Sequence, residues 1–245
     1  MNNFKLTTPS IFDKDKIIAG VTHRNPDLFP GSGFSISNGQ IYSDDEVKHQ
    51  REYLAVYLAT DPAGLKFQKQ VHASHIRIID KNSKEEESDG MITNQKGVIL
   101  NITIADCCAI LVHDPLKDAI GAFHSGWRGT RENIAKKGID KMKEEYSSDP
   151  VDLKIYLSPC ASGDKYEVGE EVAEFFPDSV KYVGGGKYLL DIPKEVSNQL
   201  TEAGCKTENI EISGKCTISD QEYHSYRRDR ERSGRMSAVI GMRSQ

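Results

Sequence analysis

Three residues of this chain carry side chains suited to holding a transition metal and share one setting: His72, Cys107 and His124. Each stands at or near the end of an extended apolar run, beside small residues, in "QVHASH", "ADCCAI" and "GAFHSGWRGT". Imidazole and thiolate suit zinc or copper better than magnesium or calcium. Three protein ligands leave one coordination position open, the pattern of a catalytic zinc, which turns bound water into hydroxide near neutral pH. No compact ligand motif such as His-Glu-x-x-His occurs, so residue type and context carry the expectation. The competing reading makes each an ordinary core or surface residue.

Their neighbours divide by geometry. Alternation along a strand sends Cys107 and Cys108 to opposite faces, so one joins the site and the other packs the core. The same rule turns His75 away from His72. Asp106 either orients a ligand or acts as a base, or else bonds backbone amides. "SGWRGT" is expected to link a strand to a helix capped by Thr130, where backbone amides and Arg128 form an anion site. Trp127 then walls the pocket or stacks on a planar ligand; a tight turn with a packed Trp is the alternative. Arg227, Arg228, Arg230, Arg232 and Arg235 are interleaved with Asp229 and Glu231 in "HSYRRDRERSGRMS". Such a run is usually a salt-bridged surface, or it brings one or two arginines to a phosphate or carboxylate. Ser125 lacks a Gly-x-Ser-x-Gly setting, and no phosphate-binding glycine loop is present; "GGG" at 184–186 reads as a turn. Cys160 in "LSPCASG" reads as packing rather than as a nucleophile.

These residues need elements to position them. "SDDEVKHQREYLAVYLAT" reads as a helix with a Ser43–Glu46 capping box and Val47, Leu54, Tyr57 and Leu58 on one face. "FQKQVHASHIRIID" reads as a strand. "GVILNITIADCCAILVHDP" reads as two extended pieces meeting near Asp106, and "DAIGAFHSGW" as another strand. "TRENIAKKGIDKMKEEY" reads as a helix with Ile134, Ile139 and Met142 inward. Further along, "VDLKIYLSP" reads as a strand and "VGEEVAEFF" as a helix stopped by Pro177. A strand and a helix capped by Asp191 and closed at Gly204 follow, and "RMSAVIGM" is a last strand. Strands and helices mix without regular βαβ units, which predicts an α+β fold: a single layered domain over residues 1–245, with mixed sheets and flanking helices.

The 245 residues carry a net charge of -5, with 37% hydrophobic and 28% charged content. That balance argues for a soluble globular chain and against nucleic-acid binding, and no apolar run is long enough to span a membrane. "MNNFKLTTPS" has no apolar core of a secretory signal, and five cysteines without a Cys-x-x-Cys suit reduced thiols, so a cytoplasmic location is expected. No protein partner is read from the sequence.

Taken together, "QVHASH", "ADCCAILVHDP", "AFHSGWRGT", "SPCASGDKYEVGEEV", "YLLDIPKEVSNQL" and "HSYRRDRERSGRMSAVI" resemble the bacterial laccase-domain proteins. These were once called multicopper polyphenol oxidases and are now regarded as zinc-dependent purine nucleoside phosphorylases with adenosine deaminase side activity. The resemblance implies phosphorolysis of adenosine, inosine or guanosine, and zinc on His72, Cys107 and His124, with copper able to enter in vitro. It implies substrate or phosphate contacts from Arg128, Arg24 of "GVTHR" and Arg228, and Asp106 or Glu167 as candidate proton carriers. The chain departs from the family pattern at Ala109, where proline is usual, at Ser158, where glycine opens the "GPC" turn, and at Ser37, where Asn is common. A four-copper oxidase needs many imidazoles in His-x-His pairs, and seven histidines without one such pair cannot supply them. The alternatives are a zinc- or Cys-dependent amide hydrolase acting on peptidoglycan precursors, and a non-catalytic zinc module whose fourth ligand would be His75 or Cys160.

Overall fold

A computed structural model describes residues 4–39 and 41–243. Two sheets stack face to face between helices, giving helix, sheet, sheet, helix layers, with a small third sheet alongside. The first sheet orders its strands Leu6–Thr7, Ile17–Thr22, Met236–Met242, Ile99–Ile104 and Leu65–Lys66. The second runs Ile210–Ile212, Lys154–Leu157, Cys108–Asp114, Ala119–Ser125, Gly90–Thr93 and Ile76–Ile78. Both contain parallel and antiparallel pairs. The expected α+β class holds.

Alternation assigns each side chain its layer. Ala109, Leu111 and Ala122 of the second sheet face Leu100, Ile102, Ala238 and Ile240 of the first. The intervening Cys108, Ile110, Val112 and Phe123 face the outer helices, where Ile134, Ile139 and Met142 meet Val196 and Leu200. Val239 and Ile99 point the other way, onto Leu54 of the Asp44–Tyr57 helix and Leu58 at its C-terminal cap. Burial of this kind stabilises by about 25 cal/mol per Å² of apolar surface. Helix Ile134–Tyr146 lies very close to its sheet because residue 138 is glycine; a methyl group there would overlap the Phe123 ring.

Several expected elements stand. The Ser43–Glu46 capping box is formed, Asp191 caps Ile192–Glu202, and Gly204 takes a left-handed φ of 97° after it. All three glycines at 184–186 have positive φ, turning the chain between strands Val180–Gly184 and Lys187–Leu190.

Others need correction. Residues 67–75 do not form a strand: regular pairing is confined to Leu65–Lys66 and Ile76–Ile78, and His72 has φ 60°, a left-handed turn within a loop. Polar Gln68, Lys69 and Gln70 interrupt the apolar alternation that the outer residues suggested. The "VGEEVAEFF" helix shrinks to Glu170–Ala173, and Tyr57 is half exposed, with Gln50 and Ala55 completing the buried face. Thr130 does not cap the long helix. It lies inside a separate short helix, Trp127–Arg131, and its hydroxyl donates to the Gly126 carbonyl (2.9 Å), while Asn133 starts the next helix. Short paired strands at 6–7, 167–169 and 210–212 carry too few residues to show a period.

Candidate active site

His124 lies near the end of strand Ala119–Ser125, and Cys107 immediately precedes Cys108–Asp114, the strand paired with it. The hairpin thus brings the two segments side by side. Asp106 takes a left-handed φ of 82°, which sets the direction in which Cys107 enters. His72 arrives from its loop across the sheet edge. Ring centroids of His72 and His124 are 4.9 Å apart and nearly perpendicular. The ligand-type atoms of His72, Cys107 and His124 all lie within 4.8 Å of one another. Zinc bond lengths of these ligands imply separations of about 3.3–3.6 Å in a tetrahedral set, so small side-chain adjustments complete the fit. Soft thiolate with two imidazoles is also the donor chemistry a zinc or copper ion requires. Among the described residues no fourth histidine, cysteine or carboxylate joins the cluster. His124 is buried, Cys107 intermediate and His72 exposed, so the cluster opens toward solvent on the His72 side.

Two local features permit this approach. A Cβ at Gly126 would come within 2.9 Å of the Cys107 sulfur and 3.5 Å of the His72 ring, so only glycine lets the chain pass here. Behind the cluster sits Asp89, fully buried. Its carboxylate accepts hydrogen bonds from His124 Nδ1 (2.8 Å) and from the backbone N–H groups of Val71 (3.1 Å), His72 (3.0 Å) and Ala73 (2.8 Å). Nothing in the sequence reading had singled out Asp89. Its only sequence signal is an acid at the junction of a polar run and the apolar strand "GMIT".

The electrostatics are those of a ligand set. Burial alone would raise the Cys107 thiol, but the charge and hydrogen bonding of His124 and His72 outweigh it and bring it down to about 6. Burial would lower His124, and Cys107 together with Asp89 instead lifts it to about 9. At neutral pH the pair is therefore a thiolate beside an imidazolium; the thiolate is the form that binds metal, and a metal ion taking the place of the His124 proton would leave that imidazole neutral. Cys108 and Cys160 differ: they face the helix-side core, and hydrogen bonding with Cys108, then burial, pushes the Cys160 thiol well above its ordinary value. Cys160 is thus core packing, as its sequence context suggested.

The cluster forms one wall of a cavity of about 710 Å³. Arg227, Arg235, Tyr166 and Tyr226 line the same cavity, together with Trp127, Arg128, Arg51 and Ser37. The guanidinium groups of Arg128, Arg227 and Arg235 lie over the rings of Trp127 (4.4 Å), Tyr166 (5.0 Å) and Tyr226 (5.6 Å). None of the three forms an ion pair with a carboxylate among the described residues, whereas Arg51 reaches Glu85 at 3.6 Å. Arg128 is exposed; Arg227 and Arg235 are half-buried. The Trp127–Arg131 helix is only five residues long, so positive charge at its start comes from the Arg128 side chain rather than from a helix dipole.

Other residues singled out by sequence are occupied elsewhere. Asp106 lines the cavity, but its carboxylate accepts from Thr217 Oγ1 (2.7 Å) and the Arg227 N–H (2.6 Å). It anchors the turn before Cys107 to the arginine loop, as a carboxylate bonded to neighbouring groups does. Arg228 does not line the cavity. Its guanidinium donates to the carbonyls of Thr217, Ile218, Asp220 and Tyr223 and to Asp229, bracing the loop from inside. Arg24 also lies outside the lining and bonds the Ser32 carbonyl (3.3 Å). Glu167 pairs with Lys187 (3.3 Å) away from the cavity. The run read as a surface thus divides, with Arg227 and Arg235 inward and Arg230 and Arg232 exposed.

Residues 20–243 match the family model described as multi-copper polyphenol oxidoreductase laccase. The chain is 30% identical to purine nucleoside phosphorylase YlmD of Bacillus subtilis (strain 168), over 98% of this chain and 97% of that protein. It is 39% identical to a purine nucleoside phosphorylase of Aquifex aeolicus, over 67% of this chain and 76% of that protein. Among solved structures, YlmD from Geobacillus stearothermophilus superposes with a TM-score of 0.89 at 26% identity, covering 96% of this chain and 94% of its own.

Proposed function

The chain belongs to the multi-copper polyphenol oxidoreductase laccase family, and we propose from that premise that it is a zinc-dependent purine nucleoside phosphorylase with an adenosine deaminase side activity. The observation that carries the proposal is one cavity lined both by the His72–Cys107–His124 cluster and by arginines without a carboxylate partner among the described residues. The relatives named purine nucleoside phosphorylase supply the substrate class.

In this reading His72, Cys107 and His124 hold zinc, and copper enters the same ligands in vitro. Zinc, when bound, supplies Lewis-acid stabilisation of developing negative charge. Arg235 and Arg227, with exposed Arg128, bind phosphate, since a guanidinium fork matches phosphate oxygens and none of the three is ion-paired with a carboxylate among the described residues. Trp127 offers a face on which the purine stacks. Phosphorolysis then requires a phosphate oxygen to bond to C1′ of the ribose as the C1′–N9 bond breaks. The bond pair leaves with the base, which takes up a proton. Holding phosphate and nucleoside together removes most of the entropic cost of that encounter. Asp106 serves by fixing the Cys107 turn, both its oxygens being hydrogen-bonded.

The test is incubation of zinc-loaded protein with adenosine, inosine or guanosine, with and without phosphate, followed by chromatography. Base and ribose-1-phosphate should appear only with phosphate, and some inosine and ammonia should form from adenosine without it. Turnover of none of the three, with hydrolysis of peptidoglycan precursors instead, would replace this reading with the amide-hydrolase one.

A further inference from the structure

Asp89 serves two separated pieces of the cluster at once. Its Oδ1 accepts from the His72 backbone N–H (3.0 Å) and from His124 Nδ1 (2.8 Å). Its Oδ2 accepts from Val71 N–H (3.1 Å) and Ala73 N–H (2.8 Å). Its own backbone carbonyl accepts from the His124 N–H (2.7 Å). We infer that Asp89 is a positioning residue that selects the tautomer of His124 and holds the His72 turn, so that both imidazoles present a lone pair to the point facing Cys107. The inference rests on the metal-binding part of the function proposed above.

Two arguments carry it. An ionised carboxylate only accepts, so the nitrogen facing it must carry the hydrogen. With Nδ1 bonded to Asp89, the lone pair of neutral His124 lies on Nε2, the nitrogen left to face the other ligands. His72, meanwhile, sits at φ 60°, a conformation that non-glycine residues adopt only when the surroundings over-determine it. Three successive N–H groups, from Val71, His72 and Ala73, converge on one carboxylate there. Such a backbone nest needs an anion at its centre to stay closed.

The isosteric variant Asp89→Asn cannot do both tasks. Its single acceptor oxygen and NH₂ group can sit in two orientations. If NH₂ faces His124, it demands a lone pair on Nδ1 and places the hydrogen on Nε2, where no ligand bond can form. If NH₂ faces Val71 and Ala73, donors oppose donors and the His72 turn opens. Either way one imidazole leaves the set. Removing such an outer partner typically costs about 10–100-fold in metal affinity.

The experiment measures zinc affinity by chelator competition for the wild type, Asp89→Asn and Ser74→Ala. Ser74 ties the same loop to Glu132 through its hydroxyl (2.7 Å) without touching either imidazole. The expected result is a loss of about 10–100-fold for Asp89→Asn and less than about threefold for Ser74→Ala. Equal affinities of wild type and Asp89→Asn, or equal losses in the two variants, would overturn the inference. Nitrogen-15 spectra of the imidazoles in zinc-loaded wild-type protein decide the matter even where Asp89→Asn fails to fold. They should show His124 protonated at Nδ1, and protonation at Nε2 would overturn the inference. A wild-type chain that binds no zinc would defeat this inference together with the metal reading. The expected affinities without any purine turnover would uphold Asp89 and defeat only the substrate assignment.

Discussion

The cavity has a wall of strand ends and a wall of loop, and the two satisfy their polar groups in different ways. On the strand-end wall the buried polar side chains are spoken for internally: His124 bonds Asp89, Asp89 bonds three backbone amides, and Cys107 is held as a thiolate by the histidines. On the loop wall Arg227 and Arg235 rest on tyrosine faces without a carboxylate partner among the described residues; Arg235 spends Nη1 on the carbonyls of Ser233 (2.7 Å) and Gly234 (3.0 Å) and keeps its other edge donors. A stacked guanidinium keeps its edge donors available, whereas an ion-paired one has spent them. The difference separates two tasks. A metal needs ligands fixed in direction, and an anion arriving from solution needs charge that has not been neutralised. Arg228 shows the boundary, since the residue next to Arg227 spends its whole guanidinium on building the loop.

The largest expected effect falls on the strand-end wall. Cys107→Ala should lose zinc outright, while Cys108→Ala, whose side chain lies in the helix-side core, should keep it and lose only thermal stability. Metal analysis and melting curves of both variants check this, and equal metal loss would erase the distinction between the two faces of the strand.

Acid should act next, on the loop wall. His224 is buried there, with Nε2 donating to the Phe34 carbonyl (2.8 Å) and Nδ1 accepting from the Gly234 N–H (3.2 Å). Burial, chiefly, lowers its pKa to about 4. A depressed histidine means that the unfolded chain binds the extra proton first. Stability is therefore complete above the unfolded value of about 6.5 and declines as pH falls toward 4, by ~2–4 kcal/mol in all. Urea unfolding between pH 7 and 4 should show this slope in the wild type and lack it in His224→Gln. The same slope in both would place acid sensitivity elsewhere.

A smaller effect separates the arginines. Arg235→Ala should raise the apparent KM for phosphate by about 10–100-fold with zinc content unchanged, since one charge-assisted contact contributes about 1.5–3 kcal/mol. Exposed Arg128 is more screened, and Arg128→Ala should change it by less than about fivefold. Steady-state kinetics with phosphate varied reads both. The reverse ranking would move the anion site to Arg128.

The three ligand-type residues were legible by residue type, and Cys107 and His124 also by their place at strand ends, whereas His72 stands in a loop. Alternation also foresaw that Cys107 and Cys108 part company, but the family resemblance chose Cys107, which lies just before the strand, after the left-handed Asp106. The path of residues 67–75 was not legible. Its outer apolar residues mimic a strand, whereas a left-handed turn held by a residue 17 positions away has no local signature. Arg227 and Arg228 were likewise indistinguishable, because adjacent identical residues differ only in which carbonyls the finished loop offers. Two of the departures from the family pattern touch each other in the fold. The Ala109 N–H, absent from a proline, donates to the Ser158 hydroxyl (2.8 Å), absent from a glycine. Each would leave an awkward gap alone, and together they close a hydrogen bond beside the Cys107 segment.

The close seating of helix Ile134–Tyr146 at Gly138 has a consequence for anyone surveying variants of this chain. Phe123 fills the space that a side chain at 138 would need, and Phe123 is the residue immediately before His124. A substitution on the outer helix, on the far side of the sheet from the cavity, therefore pushes on the strand that carries the innermost ligand. Inactive variants recovered from a random library should include this position, and their lesion would be read wrongly as a simple loss of folding unless metal content were measured beside yield.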